Sequence, residues 1–449
     1  RAAACVYQGG QSRFLIVHVG IPQGSVLSPA LFNFFTSDFP IASDFGMSFA
    51  DDFNIGATDP DLEVIAAKLN KDLKRVSRWA RKKHLKISAE KSQVTFFTPW
   101  NKEKVFPQIL YEGIPIPVES KLKSLGIWFD RDHTFTPNLK SSSLKGRDRV
   151  PIVKAVMGPS WGFRLEDGLL TYKTLIVPVL GYGAPIYLPP RSQLKQPVAP
   201  LQIVQNAALR AITGCHAASS IQHLHDECKM MQVLDHLNMQ CQQFLLNTRQ
   251  TFHPSGSITS RPPRPRPLRK PTLQYRFGND IEQYLTDGVC LQINYKKAVK
   301  AIHTNAVASA LANREPNCVL GFPAPLVNPD EDSFPRVTRT TMRRLRSGHC
   351  YDLQTYKHKL DNAVDVNCPA CHLAPDSVPH LFACTANPTH LVLLDLWARP
   401  REVVEFLLSL PPFSHLPPLT PPHPPPPPGA SSSGGFGSLG LPLRGAGAF

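Results

Sequence analysis

The chain has 449 residues, enough for two to four domains. Proline is the compositional outlier: 45 residues, about twice the usual ~5%, excludes one compact, all-regular domain and predicts linkers or tails. Lys plus Arg exceed Asp plus Glu by 15 (49 against 34), which points to a polyanionic partner. No uninterrupted apolar run is expected to reach the ~18–20 residues that span a bilayer, and no membrane partner is expected. Residues 1–10 lack the long apolar stretch of a secretion signal, so secretion is not expected either. Ten cysteines over this length do not form a disulfide scaffold, and reduced thiols are expected.

In chain order, Phe14 to Val19 reads as a strand. Ser28 is placed to cap a helix with Pro29 at its first position, and Pro40 ends it. Two short apolar runs, 47–50 and 53–57, flank Asp51 and Asp52 and predict a tight hairpin. Leu62, Ile65, Leu69, Leu73, Val76 and Trp79 keep the helical period, so one long amphipathic helix is expected over about 61–83. Its other face carries Lys68, Lys71, Lys74, Arg75, Arg78, Arg81 and Lys82, read first as a solvated face. Strands are expected at 94–98 and 125–129, then mostly helix from 134 to 248, including 201–213 with Gly214 as its stop. Arg261, Arg264, Arg266, Arg269 and Lys270 lie among prolines that keep the segment extended, suited to phosphate contacts. Helix resumes over 273–360 and fits 390–410, and the Pro/Gly/Ser-rich stretch from 411 to 449 is expected to be disordered.

Two clusters carry chemistry. Adjacent carboxylates at a hairpin tip attract a hard divalent cation, although an Asp-Asp pair by itself is more often just a polar turn. Cys368, Cys371, His380 and Cys384 follow the spacing C-x2-C-x8-H-x3-C. Four soft ligands that close together fit a structural, tetrahedral Zn2+, against the alternative of accidental clustering. His216, His223, His225 and His236 with Asp226, Glu227 and Cys228 are read as polar positions on packed helices.

Context reverses the odds for the Asp pair. Gly20-Ile21-Pro22-Gln23-Gly24 through Pro29, followed by Leu31-Phe32-Asn33, resembles the template- and nucleotide-contacting motif of reverse transcriptases. Phe49-Ala50-Asp51-Asp52 resembles their catalytic tetrapeptide, with Phe49 in place of the usual Tyr. Leu85 to Ser92 and Ser124 to Asp130 look like the next palm motif and the primer grip. Four motifs in this order are similar to the polymerases of non-LTR, jockey-like retrotransposons. Further similarity runs through 172–178, 201–210, 345–349 and the Cys/His segment.

This resemblance implies an α+β architecture. A partial polymerase palm would occupy 1–130 and a helical thumb 131–250. A basic linker would follow at 251–272, a helical region at 273–365, a zinc knuckle at 366–386, a helix at 387–410 and the tail at 411–449. It implies an RNA-directed DNA polymerase using two Mg2+ ions, with element RNA as template, nicked target DNA as primer, and dNTPs. It assigns metal binding to Asp51 with support from Asp52, a phosphate or proton-donating role to Lys91, and nucleic-acid and nucleotide contacts to Gly20, Pro22, Gln23 and Gly24. It implies a ribonucleoprotein of nucleus and cytoplasm. The family's first palm motif carries a further metal-binding Asp upstream of the Gly20 motif, yet none of residues 1–19 is acidic. The expectation is therefore a C-terminal fragment that polymerises poorly by itself. The rival is a nucleic-acid-binding remnant without chemistry.

Overall fold

The computed structural model describes residues 2–16, 20–22, 24–40, 44–97, 105–188, 195–250, 256, 273–286, 295–312 and 314–419. The amphipathic helix forms as Leu62–Lys82. Asp61 caps it by accepting from the Glu63 N–H at 2.9 Å. Glu63 in the first turn and Arg81 and Lys82 in the last complement the helix dipole. Leu62, Ile65, Leu69 and Leu73 pack with buried Ala66 against Phe96, Ile109, Tyr111 and Ile116. Asn70 fixes the register of this packing: it donates to the Gln108 carbonyl at 3.1 Å and accepts from the Leu110 N–H at 2.8 Å. The other face of the helix is exposed at Lys71, Lys74, Arg75 and Arg78.

Strands are short, and among the described residues they form five two-stranded antiparallel ribbons. The content is α+β. Three strand expectations change. Only Leu15–Ile16 of the first predicted strand is extended among the described residues, paired with Ala2–Ala3, and 17–19 lie outside them. Val94 makes an isolated bridge to Val118 rather than starting a strand. The strand expected from 125 begins at Ile127, because Leu125 and Gly126, at φ 47° and 83°, form the turn of the 121–130 hairpin. The helix at Ser28–Thr36 is present, but Leu27 is its N-cap; the Ser28 hydroxyl instead donates to the Pro22 carbonyl at 2.6 Å. It ends at Thr36, short of Pro40.

The chain divides into two compact units. One comprises 1–150, 174–205 and 231–310; the other comprises 151–173, 206–230 and 311–449. The residues expected to form one thumb, 131–250, are thus shared between both. In the first unit, Val26, Phe34, Phe45, Met47 and Phe49 are all more than half exposed. The helix expected at 201–213 is longer, Lys195–Thr213, and stops at Gly214 with φ 73°. Leu165–Tyr187 meets, by length and composition only, the minimum for a membrane span, where none was expected. It is broken into Leu165–Leu175, Val177–Gly181 and Ala184–Tyr187. Tyr172, Ile176, Leu180, Ala184 and Tyr187 are buried within protein.

The second unit is built around Arg336–Arg346. Met342 and Leu345 on that helix join Leu396, Trp397, Val403, Val404 and Leu407 in a core. The helix expected at 390–410 is two, Asp395–Ala398 and Pro400–Leu408, with Pro400 opening the second. The tail expected to be disordered from 411 packs further than composition suggested. Pro411–Phe413 is a 3-10 turn, and Phe413 and Leu416 are buried in the same core. Residues 420–449 lie outside the described residues.

Candidate functional site

The Asp pair sits where the sequence placed it. Phe45–Phe49 and Asp52–Gly56 pair antiparallel, with Phe49 opposite Asp52, so Ala50 and Asp51 form a two-residue turn. Ala50 takes φ 51°, a left-handed conformation that costs a non-glycine residue about 1–3 kcal/mol and is held only when the surroundings dictate it. Both carboxylates are exposed.

The long helix anchors this hairpin. Phe53, next to Asp52, stacks on Phe39 with ring centroids 4.4 Å apart. Trp79 packs edge-on against both, at 5.2 and 5.8 Å. The Trp79 indole N–H donates to Asp38 at 3.0 Å, and Lys83 pairs with the same carboxylate. The indole first, then Lys83, holds the Asp38 carboxyl below its usual range. Asp38 is therefore a strut beneath the hairpin.

Gly20 and Gly24 have φ 88° and 85°, conformations that only glycine adopts freely. A side chain at Gly24 would meet nothing within 4 Å, so the backbone there is open to a ligand. The Pro22 carbonyl is used internally by Ser28, and Gln23 lies outside the described residues. Lys91 is exposed in a turn, and among the described residues no ion pair joins it to Asp51 or Asp52. No third carboxylate converges on the Asp pair either; the only such group of three or more ligand side chains among the described residues is the Cys/His cluster. Two adjacent carboxylates on one turn do not by themselves enclose a pair of cations.

A second hairpin is tied to the first. Ser124 of the 121–130 hairpin lies 3.4 Å from Asn54 of the Asp hairpin. Its turn is clamped by Tyr182, whose hydroxyl donates to the Leu125 carbonyl at 2.8 Å while its ring closes on Gly126. Sequence reasoning passed over Tyr182, although an aromatic between Gly181 and Gly183 was a signal of a placed ring. Tyr182→Phe is expected to cost about 0.5–1.5 kcal/mol and to speed amide exchange in the 121–130 hairpin, readable by hydrogen-exchange mass spectrometry. Asp130 closes the next turn rather than facing a ligand. It accepts from Thr134 N–H and hydroxyl and from Phe135 N–H, at 2.9, 2.8 and 2.6 Å. Burial raises its pKa, but these donors outweigh burial and hold it low.

In the second unit, the ligand atoms of Cys368, Cys371, His380 and Cys384 all lie within 4.8 Å of one another. The Cys368 and Cys384 sulfurs are 3.8 Å apart, and Cys371 Sγ is 3.2 Å from His380 Nε2. Tetrahedral zinc with Zn–S of about 2.3 Å sets S···S near ~3.8 Å, so the donor set fits this ion. The Leu373 N–H contributes most to holding the Cys371 thiol down to about 7, whereas burial pushes Cys368 up. Asp376, in the same loop, accepts from the Gln354 N–H at 2.8 Å and so holds the start of the Gln354–Leu360 helix.

Within the histidine-rich stretch, His223 and His225 are packing, as expected. His223 Nε2 donates to the Arg343 carbonyl and His225 Nδ1 to that of Met230. Burial keeps both below the usual histidine range. Glu227 is enclosed with Glu331 around Arg346, a cluster the sequence did not reveal. Arg261, Arg264, Arg266, Arg269 and Lys270 lie outside the described residues.

Comparison with known proteins agrees with this geometry. Residues 3–129, which contain both hairpins almost entirely, match the family Reverse transcriptase (RNA-dependent DNA polymerase). The chain is 30% identical over 264 residues to "Probable RNA-directed DNA polymerase from transposon X-element" of Drosophila melanogaster, covering 57% of this chain and 28% of that protein. It is 28% identical over 210 residues to the corresponding protein from transposon BS, covering 44% and 23%. It is 26% identical over 259 residues to "RNA-directed DNA polymerase from mobile element jockey", covering 55% and 27%. The chain thus spans about a quarter of the length of the curated relatives it matches. No solved structure matches. Residues 3–129, with the Asp pair at a hairpin apex, thus match the reverse-transcriptase family, and the chain is similar to RNA-directed DNA polymerases of transposable elements.

Proposed function

We propose that this chain is part of an RNA-directed DNA polymerase of a non-LTR retrotransposon. It would transfer nucleotides from dNTPs to a primer 3′-hydroxyl on an element RNA template, with target DNA as primer. The observation that carries this reading is the Asp pair at the apex of a hairpin anchored by Trp79, within the matched residues 3–129. Asp51 and Asp52 would supply two oxygen ligands to the catalytic Mg2+ ions. Gly20, Pro22, Gln23 and Gly24 would lie along the template and nucleotide, and Lys91 would meet phosphate. Zn2+ would be held by Cys368, Cys371, His380 and Cys384, and the 261–270 cations would bind phosphates without regard to sequence. The working form would be a ribonucleoprotein of nucleus and cytoplasm.

The test joins this chain to the upstream reverse-transcriptase segment of a relative and assays primer extension on RNA. Asp51→Asn is expected to lower the rate roughly a thousandfold, since metal ions contribute several kcal/mol to charge stabilisation and ~1.4 kcal/mol is a factor of ten. A second reading is a nucleic-acid-binding remnant without chemistry. It predicts that the joined chain binds RNA and extends nothing.

A further inference from the structure

Within the second unit, three rings gather around His216. His349 stacks on it with centroids 6.0 Å apart, and Tyr351 and Tyr356 meet it edge-on at 5.5 and 5.0 Å. The Tyr356 hydroxyl and His216 Nε2 are hydrogen-bonded at 2.6 Å, which fixes the His216 ring. Arg344 lies over the Tyr351 face, 4.1 Å from its centroid, and its Nε donates to the Gly214 carbonyl at 3.1 Å. The charges sensed by His216 are all cationic: after burial, His349, Arg344 and Arg210 push its pKa down. Arg210 has a buried Nε with no hydrogen-bond partner. Tyr351 is the outermost ring, 39% exposed, and Lys357 and Lys359 are exposed on the helix that carries Tyr356.

Rings held rigid and edged by cations, with a surplus of positive charge, suit a base stacked on an aromatic face with its phosphate beside a guanidinium. A paired duplex hides its base faces and cannot use such a platform. We infer that the Tyr351–His349–His216–Arg344 cluster is a stacking platform for single-stranded nucleic acid, a contact separate from the four Cys/His ligands. This inference rests on the nucleic-acid reading proposed above and locates a contact of the second unit. The Cys/His loop then acts at one remove: Asp376 holds the helix on which Tyr356 stands.

The experiment uses the full chain and a short fluorescent oligouridine, read by anisotropy, with an RNA duplex in parallel. Tyr351→Ala and Tyr351→Leu are each expected to weaken oligouridine binding about tenfold, whereas Tyr351→Phe, which keeps the ring, binds as the wild type. Duplex binding is expected to change little. Thiouridine in the oligonucleotide is expected to crosslink to the 349–353 peptide. Wild-type binding by both ring-less variants overturns the platform, as does an equal loss on duplex. A wild-type chain that binds no oligonucleotide at all overturns the nucleic-acid reading itself.

Discussion

Arg346→Met is expected to destabilise the second unit by about 3–5 kcal/mol, because it strands two buried carboxylates. Arg346 is fully buried and holds Glu227 at 2.7 and 3.0 Å and Glu331 at 2.6 and 3.0 Å. It also donates to the Leu396 carbonyl at 2.9 Å. The cluster joins three separated stretches of this unit, so its loss is not confined to one helix. The melting transition of the unit should fall by roughly 10 °C. Replacing Arg346, Glu227 and Glu331 together with Arg343, which lies 3.5 Å from Glu227 and 3.7 Å from Glu331, by apolar residues should recover much of the loss, since no member of the cluster is then left buried without its partner.

The same cluster sets a pH dependence. Burial pushes the Glu227 carboxyl up, but Arg346, His223 and Arg343 outweigh burial, so its pKa lies below the usual range. A carboxyl depressed on folding contributes stability above its unfolded pKa, and that contribution is lost as pH falls through the folded value. In Arg346→Met the largest of these offsets is gone, so the depression of the carboxyl is reduced. The gap between wild type and variant is therefore widest near neutral pH and narrows in acid. Denaturant melts at several pH values check this; a gap that widens on acidification contradicts it.

Removing zinc is expected to have the larger local effect, on the order of 10 kcal/mol in the folding of the Cys/His segment. The 366–386 loop has little regular structure beyond Val378–Leu381 to hold it. Val378 and Leu381 nevertheless enter the core with Trp397, and Asp376 caps the Gln354–Leu360 helix. Chelation should thus open 366–386, loosen 354–360 and leave the first unit intact. Native mass spectrometry should find one zinc per chain, absent in Cys384→Ser. Unchanged exchange of 366–386 in chelator would contradict the zinc assignment.

Much of this was legible in the sequence because the signals were local. The Asp pair was bounded by apolar runs that fixed the hairpin. The 62–82 helix announced itself by period and by Asp61 at its start. The four Cys/His residues lie within 17 residues and needed no long-range information. What escaped was non-local. Arg346 looked like any basic residue in a run of arginines, and only the fold brings Glu227 and Glu331 to it. Tyr182 reaches back 57 residues to its carbonyl partner. Ser28 had the right type for a cap, but a competing carbonyl at Pro22 took its hydroxyl. Phe413 and Leu416 were hidden by the prolines around them, since composition averages over the two residues that pack.

The most direct test of the central claim is primer extension on an RNA template by this chain joined to the upstream reverse-transcriptase segment of a relative. Wild-type Asp51 should give templated dNTP incorporation that Asp51→Asn lowers roughly a thousandfold while RNA binding persists. Extension that proceeds equally in Asp51→Asn would contradict the assignment of this hairpin to the catalytic centre.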